Sequence, residues 1–217
     1  MTDTVLARRQ MVDQQVRAWD VLDEAVLEVM QRVPREAFVP PAYRELAYAD
    51  TAIPLAHEQH MLRPMIDGRI LKTLGLQPTD TVLEIGTGSG FLAACMGGLA
   101  EIVHSIEIYP DLASGAANSL RRAGCNNVRV ETNDGFSLAA ESCYDAIALT
   151  GSLPVYDARF EKALKPGGRL FAVIGQGPAM TANLITRTEA GDVLRQNLFE
   201  TQIDALIHAA EPSGFIF

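Results

Sequence analysis

Thr81-Val82-Leu83-Glu84-Ile85-Gly86-Thr87-Gly88-Ser89-Gly90-Phe91-Leu92-Ala93-Ala94-Cys95-Met96 runs from a buried-strand pattern into a helix start through three glycines at alternate positions. Glycine lacks the Cβ that keeps a ligand away from the backbone, so a strand, a tight glycine loop and a helix make a cradle for a nucleotide-like molecule. The spacing is G-x-G-x-G, with the acid Glu84 two residues before Gly86. A dinucleotide fingerprint reads G-x-G-x-x-G, so a nicotinamide cofactor is disfavoured by one residue.

Downstream of this loop, strand and helix patterns alternate. Ile102–Glu107, Asn127–Thr132, Tyr144–Thr150 and Arg169–Ile174 read as strands. Phe91–Leu99, Asp111–Ala123 and Val155–Leu164 read as helices, and Lys165-Pro166-Gly167-Gly168 as a turn. Such alternation predicts parallel βαβ units in a doubly wound sheet. Asn183–Thr188 and Leu198–Leu206 read as late strands. Upstream the pattern is helical. Val5, Leu6, Met11, Val12, Val16 and Trp19 recur near helical spacing, and Asp23 is placed to cap a second helix that Pro34 ends. Ile66–Leu76 resumes a helix that stops near Gly75. The expected fold is α/β: a Rossmann-like, doubly wound, mostly parallel sheet with a helical N-terminal cap. One domain over 1–217 is expected, with the cap and substrate-side segment at 1–78, the core at 79–175, and late strands and tail at 176–217.

Composition narrows the function. A length of 217 residues and 48% hydrophobic content provide a sizeable core, and a net charge of −9 argues against a broad basic surface for nucleic acid. The three cysteines, Cys95, Cys125 and Cys143, fit neither a zinc spacing nor a disulfide framework and are expected to be reduced thiols. With no apolar run of signal-peptide or membrane-spanning length, a cytoplasmic protein without membrane partners is expected; the sequence leaves the oligomeric state open, with a monomer favoured.

In open α/β sheets a ligand lies across the carboxyl ends of the strands. Besides the glycine loop, two positions fall there: Glu107, 23 residues after Glu84 (107 − 84), and Asp134-Gly135 after the third strand. An acid at the Glu107 spacing accepts hydrogen bonds from ribose hydroxyls, and Asp134-Gly135 faces an adenine edge. Each has a plainer alternative: Glu84 as a local cap, Glu107 as a solvated strand-end acid, Asp134-Gly135 as a turn. The acid-x-G-x-G-x-G loop and the Lys165–Gly168 turn resemble those of class I S-adenosylmethionine (SAM) methyltransferases. That resemblance implies SAM as cofactor, held by Glu84, Gly86, Thr87, Gly88, Ser89, Gly90, Glu107, Asp134 and Gly135.

A closer resemblance extends over most of the chain. Met11–Arg17, Val33–Pro40, Ala47–Asp50, Glu84–Gly90, Ser105–Ile108, Asn127–Val130, Leu164–Leu170 and Leu184–Arg187 are similar to segments of the protein-L-isoaspartate O-methyltransferases. The family methylates the free α-carboxylate of isoaspartyl residues in damaged proteins, which implies a carboxyl O-methyltransferase of the repair type and a peptide or protein carboxylate as acceptor. Departures cluster at the substrate end. Family members carry a segment like G-H-G-Q-T-I-S before a proline, whose Ser is an active-site residue. Here the stretch is Ala56-His57-Glu58-Gln59-His60-Met61-Leu62-Arg63-Pro64, with His60 at the Thr position and Leu62 at the Ser position. The family's T-A-A-A-P run stands as Thr150-Gly151-Ser152-Leu153-Pro154, and the tail past Phe199 also differs.

The candidate acceptor residues are therefore Leu62, His60 and Arg63. Arg63 is the favoured anchor, because a guanidinium binds carboxylate bidentately and stays charged. The alternative is that His60 and Arg63 are ordinary polar side chains and that His57 only orients the loop. His57 and His60 flank Glu58, but no third ligand is evident, so no metal is expected. Two other functions stay open: a methyltransferase of the same fold with a different acceptor, and a SAM-binding protein without isoaspartyl activity.

Overall fold

The computed structural model describes residues 3–212, so the expected tail over Ser213–Phe217 lies outside the described residues. The chain opens with α1 (Asp3–Met11), which widens into a π turn over Val12–Val16 and tightens to 3-10 geometry over Arg17–Trp19. The Arg17 N–H bonds the Val12 carbonyl, and this wider ladder turns Met11, Val12 and Val16 together into the core. Val5, Leu6 and Trp19, expected on the same apolar face, are exposed instead. The change of pitch after Met11 breaks the single helical periodicity that would have aligned them.

Asp23 caps α2 (Glu24–Arg32) by accepting from the Ala25 and Val26 N–H groups. After two 3-10 turns come the short strands β1 (Ile53–Pro54) and β2 (His60–Met61), paired antiparallel. Then α3 (Pro64–Leu74) ends at Gly75. The remaining elements are β3 (Thr81–Ile85), α4 (Phe91–Gly97), β4 (Ile102–Glu107), α5 (Pro110–Arg122), β5 (Val128–Thr132), β6 (Tyr144–Leu153), α6 (Arg159–Ala163), β7 (Leu164–Gln176), β8 (Ala179–Arg187) and β9 (Val193–Glu200).

The sheet has seven strands in the order β5-β4-β3-β6-β7-β8-β9. The first five run parallel, and β8 and β9 add an antiparallel meander. The fold is thus α/β, Rossmann-like and mostly parallel, with the expected cap. Alternate residues face opposite cores, as pleating requires. Val82, Ala146, Ala148, Phe171 and Val173 pack with the cap helices, while Leu83, Ile147, Leu149, Leu170 and Ala172 pack with Phe160 of α6.

Three local expectations are corrected. The helix expected over Val155–Leu164 is only Arg159–Ala163. Strand β6 runs on to Leu153, Pro154 follows, and Asp157 accepts from the Arg159 N–H to fix a later start (2.9 Å). The Lys165–Gly168 turn lies inside β7: two steps along β6 (Tyr144 to Ala146) answer five along β7 (Leu164 to Arg169), and Gly167 absorbs the excess at φ +76°. The late strand expected over Leu198–Leu206 ends at Glu200. Beyond the Thr201 N–H, which bonds the Met180 carbonyl (3.2 Å), the chain leaves the meander and crosses to the end of β6.

Candidate functional site

The carboxyl ends of β3, β4, β5 and β6 open onto one cavity of about 290 Å³. Gly86, Gly88, Glu107, Asp134 and Gly135 line it from the sheet, and His60, Leu62 and Arg63 from the cap. Eight of the residues singled out from sequence therefore meet in one place. Glu84, Thr87 and Ser89 border a smaller recess of about 40 Å³, which shares Gly86, Gly88, His60 and Leu62 with the main cavity. Gly90 lines neither; it starts α4 and packs on Ala116 of α5.

The loop keeps its shape through bonds that leave its open face free. Gly86 has φ +96°, and a Cβ there would overlap the Thr150 hydroxyl. That hydroxyl donates to the carbonyls of Gly86 (2.6 Å) and Ile85 (3.0 Å). Thr150 reaches them because β6 bulges before its end: four steps from Ala148 to Ser152 answer two from Phe171 to Val173. A bulge re-aims a side chain in this way. Gly88, at φ +53°, donates its N–H to Glu107 Oε2 (2.8 Å), and the Tyr109 N–H meets Oε1 (3.0 Å). Glu107 is thereby pinned at the end of β4, and each oxygen keeps a lone pair for a further donor.

Glu84 is wholly buried. Its Oε2 accepts from the Ser105 hydroxyl, which is 2.5 Å from Thr87 Oγ1, and among the described residues its Oε1 has no partner. Burial pushes its carboxyl up to about 8, against the Ser105 hydrogen bond, with Asp67 and Glu107 adding to the rise. The acid is thus held protonated at pH 7. For Asp134, burial favours the neutral form, but the Phe136 N–H and His208 outweigh it and hold the carboxyl below its ordinary value. Asp134 Oδ1 accepts from Phe136 (2.8 Å), and Oδ2 lies 2.9 Å from His208 Nδ1.

The cap contributes a hairpin. Strands β1 and β2 are joined through residues 55–59, with His57 and Glu58 both at φ +58°. Two successive positive φ values mark the primed turn that suits a two-residue hairpin loop. The His57 ring stacks on Tyr109 (centroids 4.0 Å apart, planes 5° apart), and its Nε2 is 2.8 Å from Asp111 Oδ1. His60 Nδ1 is 2.8 Å from Asp204 Oδ2. The Leu62 side chain packs against the apolar core, while Arg63 is exposed at the start of α3, its guanidinium without a hydrogen bond or ion pair among the described residues.

Beneath the hairpin lies a residue whose role the sequence did not announce. Arg35 is 0% exposed. It donates to Asp67 Oδ2 (2.6 Å), to the Ala47 carbonyl (3.0 Å) and to the Leu62 carbonyl (2.6 Å), and covers the Phe91 ring at 4.6 Å. Burial lifts Asp67 to about 6 even against this partner. A cation amid Val33, Phe38 and Val39 was the available signal. Asn133 and the segment Thr201–Ile207 also line the cavity without having been expected there. Among the described residues, no three His, Cys, Asp or Glu side chains group as a metal site, and no helix is long and apolar enough to cross a membrane. Cys95, Cys125 and Cys143 are free thiols.

Comparison with known proteins agrees with this architecture. The family model described as protein-L-isoaspartate(D-aspartate) O-methyltransferase matches residues 7–206. A protein-L-isoaspartate O-methyltransferase of Koribacter versatilis (strain Ellin345) is 36% identical over 208 residues, spanning 95% of this chain and 93% of that one. One from Rhodopseudomonas palustris (strain ATCC BAA-98 / CGA009) is 38% identical over 211 residues, spanning 94% and 97%. A Plasmodium falciparum structure of the same description, in complex with S-adenosyl-L-homocysteine, shares the fold with a TM-score of 0.80 at 20% identity, covering 92% of this chain and 97% of that one. With its sequence matched from the first helix to the segment beyond β9, this chain belongs to the protein-L-isoaspartate O-methyltransferase family.

Proposed function

We propose that this protein transfers a methyl group from SAM to a peptide or protein carboxylate, with the α-carboxylate of an isoaspartyl residue as acceptor. The observation that carries this reading is the meeting of Gly86, Gly88, Glu107 and Asp134 in one cavity across the ends of successive strands. Those residues fit the cofactor. Gly86, where a Cβ would collide with Thr150, keeps the loop backbone bare at the cavity, Glu107 keeps acceptor capacity for two ribose hydroxyls, and Asn133-Asp134-Gly135 offers polar groups to an adenine edge. Glu84, Thr87 and Ser89 shape the methionine end from behind the loop, with Glu84 Oε1 as a buried oxygen in need of a partner, and Gly90 lets the loop turn into α4. When bound, SAM supplies an electrophilic methyl group on a sulfonium.

The protein's own part is mainly positioning. A carboxylate is ionised at pH 7 and needs no general base; its oxygen must be held in line with the methyl carbon. Arg63 is the anchor for it, a guanidinium at the cavity edge whose donors are free among the described residues. Leu62 offers no hydrogen bond. Compared with a hydroxyl there, that costs about 1.5–3 kcal/mol toward a charged acceptor, or roughly 10–150-fold in rate.

The test is incubation with labelled SAM and an isoaspartyl peptide. Base-labile methyl ester above an aspartyl-peptide control is expected, and equal labelling of the two overturns the acceptor. Leu62 also favours a second reading, the same chemistry on a different carboxylate. In that case the unaltered protein would label a protein extract but not the isoaspartyl peptide.

A further inference from the structure

After β9 the chain forms a strap over the cavity, and each of Thr201 through Ile207 lines it. Little backbone holds this strap down. The Thr201 N–H bonds the Met180 carbonyl (3.2 Å), and one isolated parallel bridge pairs Ala205 with Ser152, made by the Ser152 N–H donating to the Asp204 carbonyl (2.8 Å) and the Leu206 N–H donating to the Ser152 carbonyl (3.0 Å). Leu206 sits so close to Gly151 that a Cβ on that glycine would lie 2.8 Å from it. Three side-chain ties add to this among the described residues: Gln202 Nε2 donates to the Pro178 carbonyl (3.1 Å), His208 meets Asp134 on the sheet side, and His60 meets Asp204 on the hairpin side.

The His60–Asp204 tie joins segments 144 residues apart and bridges the hairpin carrying Leu62 to the strap facing it. Both partners are about 40% exposed (40% and 44%), so the pair adds little to global stability. Its effect falls on the one motion it opposes, separation of strap from hairpin. Asp204 accepts from Nδ1–H whether the ring is charged or is the neutral tautomer bearing that proton. The threonine that the family pattern places at position 60 is too short to make the same reach.

We infer that His60 and Asp204 are positioning residues whose hydrogen bond fixes the strap against the acceptor hairpin and so sets how long the cavity retains a bound S-adenosyl ligand. This rests on the functional reading above. Neither residue acts on the reacting atoms; each acts through the strap.

The test is the dissociation rate of S-adenosylhomocysteine from the full chain, measured by chase with excess unlabelled ligand. His60→Thr and Asp204→Ala should each speed release roughly two- to fivefold, the range expected for losing one exposed pair. The double variant should release no faster than either single one, because both remove the same bond. His60→Asn, which keeps a donor at the Nδ1 position, should restore most of the slow release. Thermal unfolding should barely move in any of the four. Unchanged rates, or a double variant that multiplies the single effects, would overturn the inference while leaving the functional reading intact. Failure of the unaltered protein to bind S-adenosylhomocysteine at all would overturn both.

Discussion

On the sheet side of the cavity, Gly86, Gly88 and the buried Glu107 are held by hydrogen bonds that each tie a backbone group to a side chain of the strand ends. The hairpin and the strap, by contrast, are held by His57, His60 and His208 through solvent-accessible pairs with Asp111, Asp204 and Asp134. The first arrangement is braced because the Gly86 N–H bonds the Ile106 carbonyl and the Gly88 N–H bonds Glu107 across adjacent strand ends. The second can be undone one pair at a time. The difference suits a site that must present one invariant donor molecule and admit acceptors carried on varied proteins.

The strongest challenge to this contrast is Arg35, a buried group serving the exposed side. Arg35→Ala leaves Asp67 buried and unpaired and frees the Leu62 carbonyl, so a loss of about 3–5 kcal/mol is expected in chemical denaturation. A change within 1 kcal/mol would mean that the hairpin does not lean on it. Glu84 should also cost the protein stability as pH rises. Its folded carboxyl sits near 8 against an ordinary value of 4.5, so the unfolded chain loses this proton first. The penalty is absent at low pH, grows between about 4.5 and 8 at up to about 1.4 kcal/mol per pH unit, and is then constant. Glu84→Gln removes it, so the stability of the variant relative to the parent should climb through that window. A flat difference across pH 5 to 8 would show that Glu84 is ionised in the fold.

Smaller effects probe each side separately. Glu107→Ala removes a carboxylate that braces Gly88 and Tyr109 and is placed for the ribose, so SAM affinity should fall about 100-fold by calorimetry. Leu62→Ser should raise kcat/KM for an isoaspartyl peptide by about tenfold or more. No gain in a variant that still binds SAM would detach the acceptor from this position. Smallest is Glu58→Gly. Glu58 sits at φ +58° on the hairpin turn, and glycine there should stabilise the fold by about 1 kcal/mol in thermal unfolding, without altering SAM binding.

The same contrast explains what the sequence made legible. The glycine loop, Glu107 and Asp134 are strand-end features, fixed by local geometry that repeats at a known spacing, so pattern alone located them. The parallel core was readable for the same reason. The strap was not, because its position depends on single contacts between His60 and Asp204 and between Ser152 and Ala205, with no periodicity to betray them. Arg35 was hidden differently. It stood in a recognised segment, but only the packed structure shows that its guanidinium spans Asp67 and the hairpin. Helix α6 was overdrawn because Val155 has the apolar character of a core position yet lies exposed after Pro154.

The crossing of residues 201–209 to the end of β6 also bears on how the protein is made. Synthesis proceeds from the N-terminus, and the strap lies beyond β9, so the sheet and glycine loop can assemble on the ribosome while one wall of the cavity does not yet exist. Binding competence should therefore arrive abruptly, once translation has passed the strap and freed it to dock. A nascent chain halted at Glu200 would carry the cofactor cradle but hold its ligand only weakly.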